Sequence, residues 1–141
     1  MATVDGYVAL ATNNYSDLMN AIATISPIAI SVDASTWHSY NGGIFAGCNQ
    51  ASPDVNHVVV LVGYGEENGQ KYWLVRNSWS PSWGEKGYIR LSRYDNDEEN
   101  CGIDVTPQNG SACEGQNEPV KVCGTCGVLY DSSYPTGARA F

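Results

Sequence analysis

The chain has two histidines, His38 and His57, in different settings. His57 follows a polar stretch, 49–56, and opens the apolar run Val58-Val59-Val60-Leu61-Val62. A histidine at the mouth of a strand is anchored on one side and reachable on the other, which suits a group that moves protons. Asn77-Ser78-Trp79 closes the next apolar stretch. An amide oxygen that accepts the Nδ1–H of an imidazole would fix its tautomer and leave Nε2 to take a proton. The indole of Trp79 would shield that bond from water. Base and orienter are two parts of a nucleophile–base–orienter constellation. His38, between Trp37 and Ser39 in a turn, reads as a surface or packing residue.

Cysteine is the remaining chemistry-bearing type. Five cysteines cannot all pair within one chain, so one is free or has a partner elsewhere. Cys123 and Cys126 form a Cys-x-x-Cys pair. Zinc needs four ligands; Cys113 supplies only a third and no histidine is near, so no metal is expected. A redox pair opens a helix after a strand, whereas this one lies among Gly and Thr. A structural disulfide is the expected use, and no cofactor is expected.

Elements must bring His57 and Asn77 together. Residues 58–62 read as a buried strand that stops at Gly63-Tyr64-Gly65, and 72–77 returns as its antiparallel partner after the turn 66–69. A tight hairpin puts the start of its first strand beside the end of its second, so His57 and Asn77 become neighbours. Residues 87–91 form a third strand. Upstream, 15–25 reads as an amphipathic helix with Leu18, Ile22 and Ile25 on one face and Ser16 as N-cap. Pro27 ends it, 28–32 is a short strand, and 7–10 is another. The acidic stretch 95–100 reads as a solvated turn.

The 141 residues amount to one domain, with 43% hydrophobic and 16% charged residues. Fifteen acidic against seven basic residues give a formal charge of -8. Such a surface repels phosphate, so neither nucleic acid nor an anionic membrane is an expected partner. The apolar runs are too short to span a bilayer. The residues after Met1 show neither a basic nor an apolar leader region, so no signal peptide is expected in this stretch.

Separate blocks along the sequence resemble the papain-like cysteine peptidases of the cathepsin family. Asn56-His57-Val58 running into Leu61-Val62-Gly63-Tyr64-Gly65 is similar to their histidine motif. Tyr72-Trp73-Leu74-Val75-Arg76-Asn77-Ser78-Trp79, followed by Trp83-Gly84-Glu85-Lys86-Gly87-Tyr88-Ile89-Arg90, is similar to their asparagine motif. The stretch 27–33, Gly42-Gly43-Ile44-Phe45 leading to Cys48, and Ser133-Tyr134-Pro135 also match.

The resemblance implies an α+β fold: a papain-like right-hand domain with an antiparallel β-barrel-like sheet and one short N-terminal helix. Residues 1–141 would form that C-terminal β domain, with an insertion-like loop at about 104–125. The helical domain that carries the nucleophilic cysteine and the oxyanion-hole glutamine has no counterpart here, and none of the five cysteines sits in a Cys-Gly-Ser-Cys-Trp-like context. The implied activity is endopeptidase hydrolysis through a thioester, His57 serving as general base and acid and Asn77 orienting it. The expected partners are a peptide or protein substrate and the Cys-bearing N-terminal half, without which this chain is expected to be inert. A lysosomal, vacuolar or extracellular location follows from the resemblance and the expected disulfides.

The resemblance also implies that Cys48 pairs with the cysteine of a later Cys-Gly-Ile. Cys101 and Cys126 compete, and Cys48–Cys101 is favoured, leaving Cys113, Cys123 and Cys126 for one further bridge and one odd thiol. The floor of the S2 pocket, five residues beyond that cysteine, is then Thr106, or Asp131 if Cys126 is the partner. Ser31 and Val58 match other S2 positions, Trp79 borders the primed side, and the backbone carbonyl of Asn56 meets the substrate amide while its side chain is solvated. The alternative is a catalytically inactive peptidase-like binding or structural module, or more remotely a small disulfide-rich binding domain. Co-purification with a partner that carries a reactive cysteine separates these readings.

Overall fold

The computed structural model describes residues 1–25, 27–110 and 115–140. In chain order the elements are β1 (Ala2–Thr3), β2 (Gly6–Ala9), α1 (Tyr15–Thr24), β3 (Ile28–Val32), β4 (Ile44–Phe45), β5 (His57–Glu67), β6 (Gln70–Arg76), β7 (Tyr88–Ser92), β8 (Cys101–Asp104), β9 (Val120–Cys123), β10 (Asp131–Thr136) and β11 (Arg139–Ala140). Seven strands form the main sheet in the order β2-β10-β3-β5-β6-β7-β4. All neighbours are antiparallel except β4 and β7. The sheet stays open, with β2 and β4 at its edges, so it is only loosely barrel-like. β8 and β9 form a separate two-stranded sheet, as do β1 and β11.

The core lies where α1 and the connecting loops cover one face of this sheet. Ile28, Ile30 and Val32 of β3, Leu61 of β5, Trp73 and Val75 of β6, and Ile89 and Leu91 of β7 are all fully or almost fully buried. Leu18 and Ala21 of α1 pack onto them, with Trp37, Val128 and Leu129. Side chains alternate across a strand. β5 therefore buries Val59 and Leu61 and leaves Val58 and Val60 exposed, rather than burying the whole run. A bulge between Leu61 and Gly63 carries the strand past its glycines. Asn68 and Gly69, at φ 52 and 79, make the tight turn into β6.

Two local expectations need correction. The N-cap of α1 is Asn14, whose side chain accepts the Asp17 N–H at 2.9 Å, so Ser16 lies inside the helix. The acidic stretch is not uniformly solvated, because Asp97 is fully buried.

The bridges differ from the favoured pairing. Cys48 joins Cys126, and Cys101 joins Cys123. Backbone register explains both. The Asp33 N–H donates to the Cys126 carbonyl at 2.9 Å, and the Cys48 sulfur lies 3.4 Å from the Asp33 carbonyl, so residue 33 gathers the two cysteines. Cys101 meanwhile stands directly opposite Cys123 on β8 and β9. The Cys-x-x-Cys pair thus divides between two bridges. Cys113 lies outside the described residues.

Candidate active site

His57 and Asn77 meet diagonally across the hairpin, whose register pairs Val60 with Arg76 and so sets Val59, two residues from His57 on the same face, opposite Asn77. Asn77 Oδ1 lies 2.9 Å from His57 Nε2 and also accepts the Ser78 backbone N–H at 2.8 Å. The second contact identifies the atom. An N–H can point only at the amide oxygen, so Nε2 must be the donor toward the same oxygen. The ring is therefore turned over relative to the Nδ1 contact expected above. Nε2 carries the proton that is held, and Nδ1 is the nitrogen left for chemistry. Register selects which residues are neighbours, but rotation about the side-chain bonds decides which nitrogen faces the amide.

Aromatic rings enclose the pair. The Trp79 ring lies 5.3 Å from the His57 ring at 28°, and Trp37 meets His57 edge-on at 6.4 Å. His38 stacks on Trp79 at 4.9 Å and 8°, so one indole is flanked by both imidazoles. Trp83 closes the cluster, stacking on Trp37 at 6.2 Å and donating its indole N–H to the Trp37 carbonyl. Trp37 itself is completely buried and underlies the other rings. Tryptophan spacing alone does not reveal this role, because residues 37, 79 and 83 meet only through tertiary packing.

The loop that carries Trp79 and Trp83 is held by charge. Arg90 grips Glu85 through Nε and Nη2, each at 2.8 Å, and reaches Glu67. This holds the Glu85 carboxyl below the usual carboxylate range and raises Arg90 further above its already high value. Glu85 also accepts the Gly43 N–H, and Tyr40 donates to the Gly43 carbonyl. Burial pushes the Tyr40 hydroxyl pKa up. At Gly84, φ is 55 and a Cβ would lie 2.7 Å from the Tyr88 carbonyl, so a side chain cannot be added.

Three of the expected substrate-binding residues fall in one row across the sheet. Asp131 on β10 pairs with Ser31 on β3, and Ser31 pairs with Val58 on β5. His57 is next along β5, opposite Val32. Thr106 lies outside this row, beyond the end of β8. Its candidacy came from counting past Cys101, which is not the partner of Cys48. The Asn56 side chain is not simply solvated: Oδ1 accepts the Ala34 N–H at 3.1 Å and Nδ2 donates to Ser35 Oγ at 2.8 Å. Among the described residues no group of three or more His, Cys, Asp or Glu could hold a metal ion. No helix there is long and apolar enough to cross a membrane.

Residues 1–110 match the family described as papain family cysteine protease. Digestive cysteine proteinase 1 of Homarus americanus is 45% identical over 104 residues, which cover 72% of this chain and 32% of that protein. Cathepsin K of Mus musculus is 41% identical over 100 residues, covering 70% of this chain and 30% of the relative. The solved bromelain protease of Ananas comosus, in complex with the E64 inhibitor, superposes with a TM-score of 0.69 at 34% identity. That match covers 94% of this chain and 50% of the bromelain chain. The chain thus spans about a third of the length of these curated relatives.

Proposed function

Because this chain belongs to the papain family of cysteine proteases, we propose that it is the His/Asn-bearing C-terminal part of a cysteine endopeptidase whose nucleophile lies outside the 141 residues. The observation that carries this reading is the His57 Nε2–H to Asn77 Oδ1 bond, flanked by the Trp79 ring. Four of the five cysteines are tied in bridges, so none of those four offers a thiol. The disulfides also favour an oxidising location, a lysosome, vacuole or the cell exterior.

With Nε2 occupied by Asn77, proton traffic passes through His57 Nδ1. Nδ1 takes the proton of a thiol supplied by the cysteine-bearing part, and the thiolate attacks the peptide carbonyl. The imidazolium then gives that proton to the departing amine as the C–N bond breaks. Water attacks the resulting thioester while Nδ1 accepts its proton, which releases the acid and restores the thiol. Asn77 holds the ring in plane throughout, and Trp79 keeps water from competing for the bond. The Asn56 carbonyl accepts a substrate backbone N–H, Trp79 borders the leaving-group side, and the row of Ser31, Val58 and Asp131 forms the S2 wall and floor.

The test recombines the purified chain with the cysteine-bearing part of the enzyme and follows a fluorogenic dipeptide. The chain alone is expected to be inert. The complex is expected to turn over substrate, with His57→Ala lowering kcat by roughly a hundredfold or more. A folded one-to-one complex without activity overturns the catalytic reading in favour of an inactive binding module. Epoxide-sensitive turnover by the chain alone overturns the missing nucleophile.

A further inference from the structure

The segment before His57 has no regular structure from residue 46 to 56, yet its last three amides are held one by one. The Asp54 N–H donates to Asp33 Oδ2 at 3.2 Å, and the Asn56 N–H donates to the Val32 carbonyl at 3.1 Å. Val32 is the last residue of β3 and Asp33 follows it, both on the main sheet side. The Val55 N–H, between them, points the other way and donates to Asp104 Oδ2 at 3.1 Å.

Asp104 is almost completely buried and lies on β8, in the small sheet that Cys101–Cys123 closes. Its Oδ1 accepts the Thr106 N–H at 2.9 Å, so one carboxyl group holds the hairpin and the catalytic approach together. Contacts on either side share this geometry. The Ile103 N–H donates to the Ala51 carbonyl, and Gln50 Nε2 donates to the Asn100 carbonyl. A Cβ at Gly102 would lie 2.0 Å from the Gln50 carbonyl, and one at Gly110 would lie 1.9 Å from the Val55 carbonyl. Backbone touches backbone at both positions, leaving no space for a side chain.

We propose that Asp104 is a positioning residue for His57. By holding the Val55 N–H, the 101–123 hairpin fixes the Asp54–Val55 peptide plane, the one before the plane that the Val32 carbonyl holds through the Asn56 N–H. Those two consecutive planes set how the chain enters β5 at His57, and so where the imidazole is delivered to Asn77. The proposal deepens the peptidase reading above and rests on it for the meaning of the site. Its physical content, a mechanical link from hairpin to imidazole, is measurable without hydrolysis. A buried N–H that loses its acceptor is strongly disfavoured, so the peptide would reorient toward another acceptor.

The test uses the full 141-residue chain labelled with 15N. In the wild type, the Val55 and Thr106 amides and the His57 Nε2–H are expected to exchange with solvent through a shared opening, with the same response to low denaturant. In Asp104→Asn the carboxamide presents oxygen to only one of the two N–H groups. His57 Nε2–H exchange is then expected to rise tenfold or more, while β6 and β7 amides are unchanged. Cys101→Ala/Cys123→Ala is expected to act in the same direction with Asp104 intact. A folded Asp104→Asn chain with unaltered His57 exchange overturns the proposal. If that variant does not fold, the wild-type measurement decides: separate openings for Thr106 and Val55, or for Val55 and His57, overturn it. None of these outcomes bears on whether the recombined enzyme hydrolyses peptides, so the two readings fail separately.

Discussion

Ser31 donates its hydroxyl to Asp131 Oδ2 at 2.7 Å, across the paired strands β3 and β10. The buried serine anchors an exposed carboxylate in the same row as Val58, one step along β5 from His57. A cation held there would meet a fixed negative charge. In the recombined enzyme, Asp131→Ala is therefore expected to lower kcat/KM roughly tenfold for substrates with arginine at P2. Substrates with leucine at P2 should change little. An equal loss for both, read from paired substrates, would remove Asp131 from the specificity role.

The two disulfides close loops of different length, 78 and 22 residues apart in sequence. On the chain-entropy model their removal costs about 4.5 and about 3.4 kcal/mol respectively. Urea midpoints of Cys48→Ser/Cys126→Ser and Cys101→Ser/Cys123→Ser chains should rank in that order. The reverse order would show that the smaller bridge stabilises through contacts rather than loop closure.

Asp97 gives the fold a pH dependence of a particular sign. Burial is the main cause that holds its carboxyl above the usual carboxylate range, opposed by the Tyr94 N–H, the nearby Trp73 indole, Asn100 and the charge of Arg93. The folded chain therefore keeps this proton to higher pH than the unfolded chain does. The associated stability is whole below the unfolded carboxyl's pKa and is lost as pH rises through the folded one. Asp97→Asn cannot titrate and still offers an oxygen to the Tyr94 N–H. It should match wild type in urea at pH 3 and exceed it at pH 7. A difference independent of pH between the two chains would contradict this assignment.

Much of the site was legible because hairpin geometry is local. Once 58–62 and 72–77 are strands joined by a short turn, the strand ends that carry His57 and Asn77 must lie close together, and the diagonal contact between them follows. What was not legible depends on contacts distant in sequence. Cys101-Gly102-Ile103 and Cys126-Gly127-Val128 are similar pieces, and they are told apart by tertiary contacts, the bond from Asp33 to residue 126 and the pairing of Cys101 with Cys123 across β8 and β9. Asp97 sits among residues that are mostly exposed, and its own burial beside the indole of Trp73, 24 residues away in sequence, is encoded by no local pattern. Asp104 reads as one more acid in a turn-rich stretch until β8 is laid against residues 50–55. The helix cap moved from Ser16 to Asn14 for a smaller reason: both types cap well, and only the conformation at residue 14 chooses.

The larger bridge encloses the smaller, and between its two sulfurs lie His57, Asn77 and Asp104. A protease that nicks this chain once, anywhere between residues 48 and 126, leaves both pieces tethered. The cut would be invisible on a non-reducing gel and would appear as two bands only after a thiol is added.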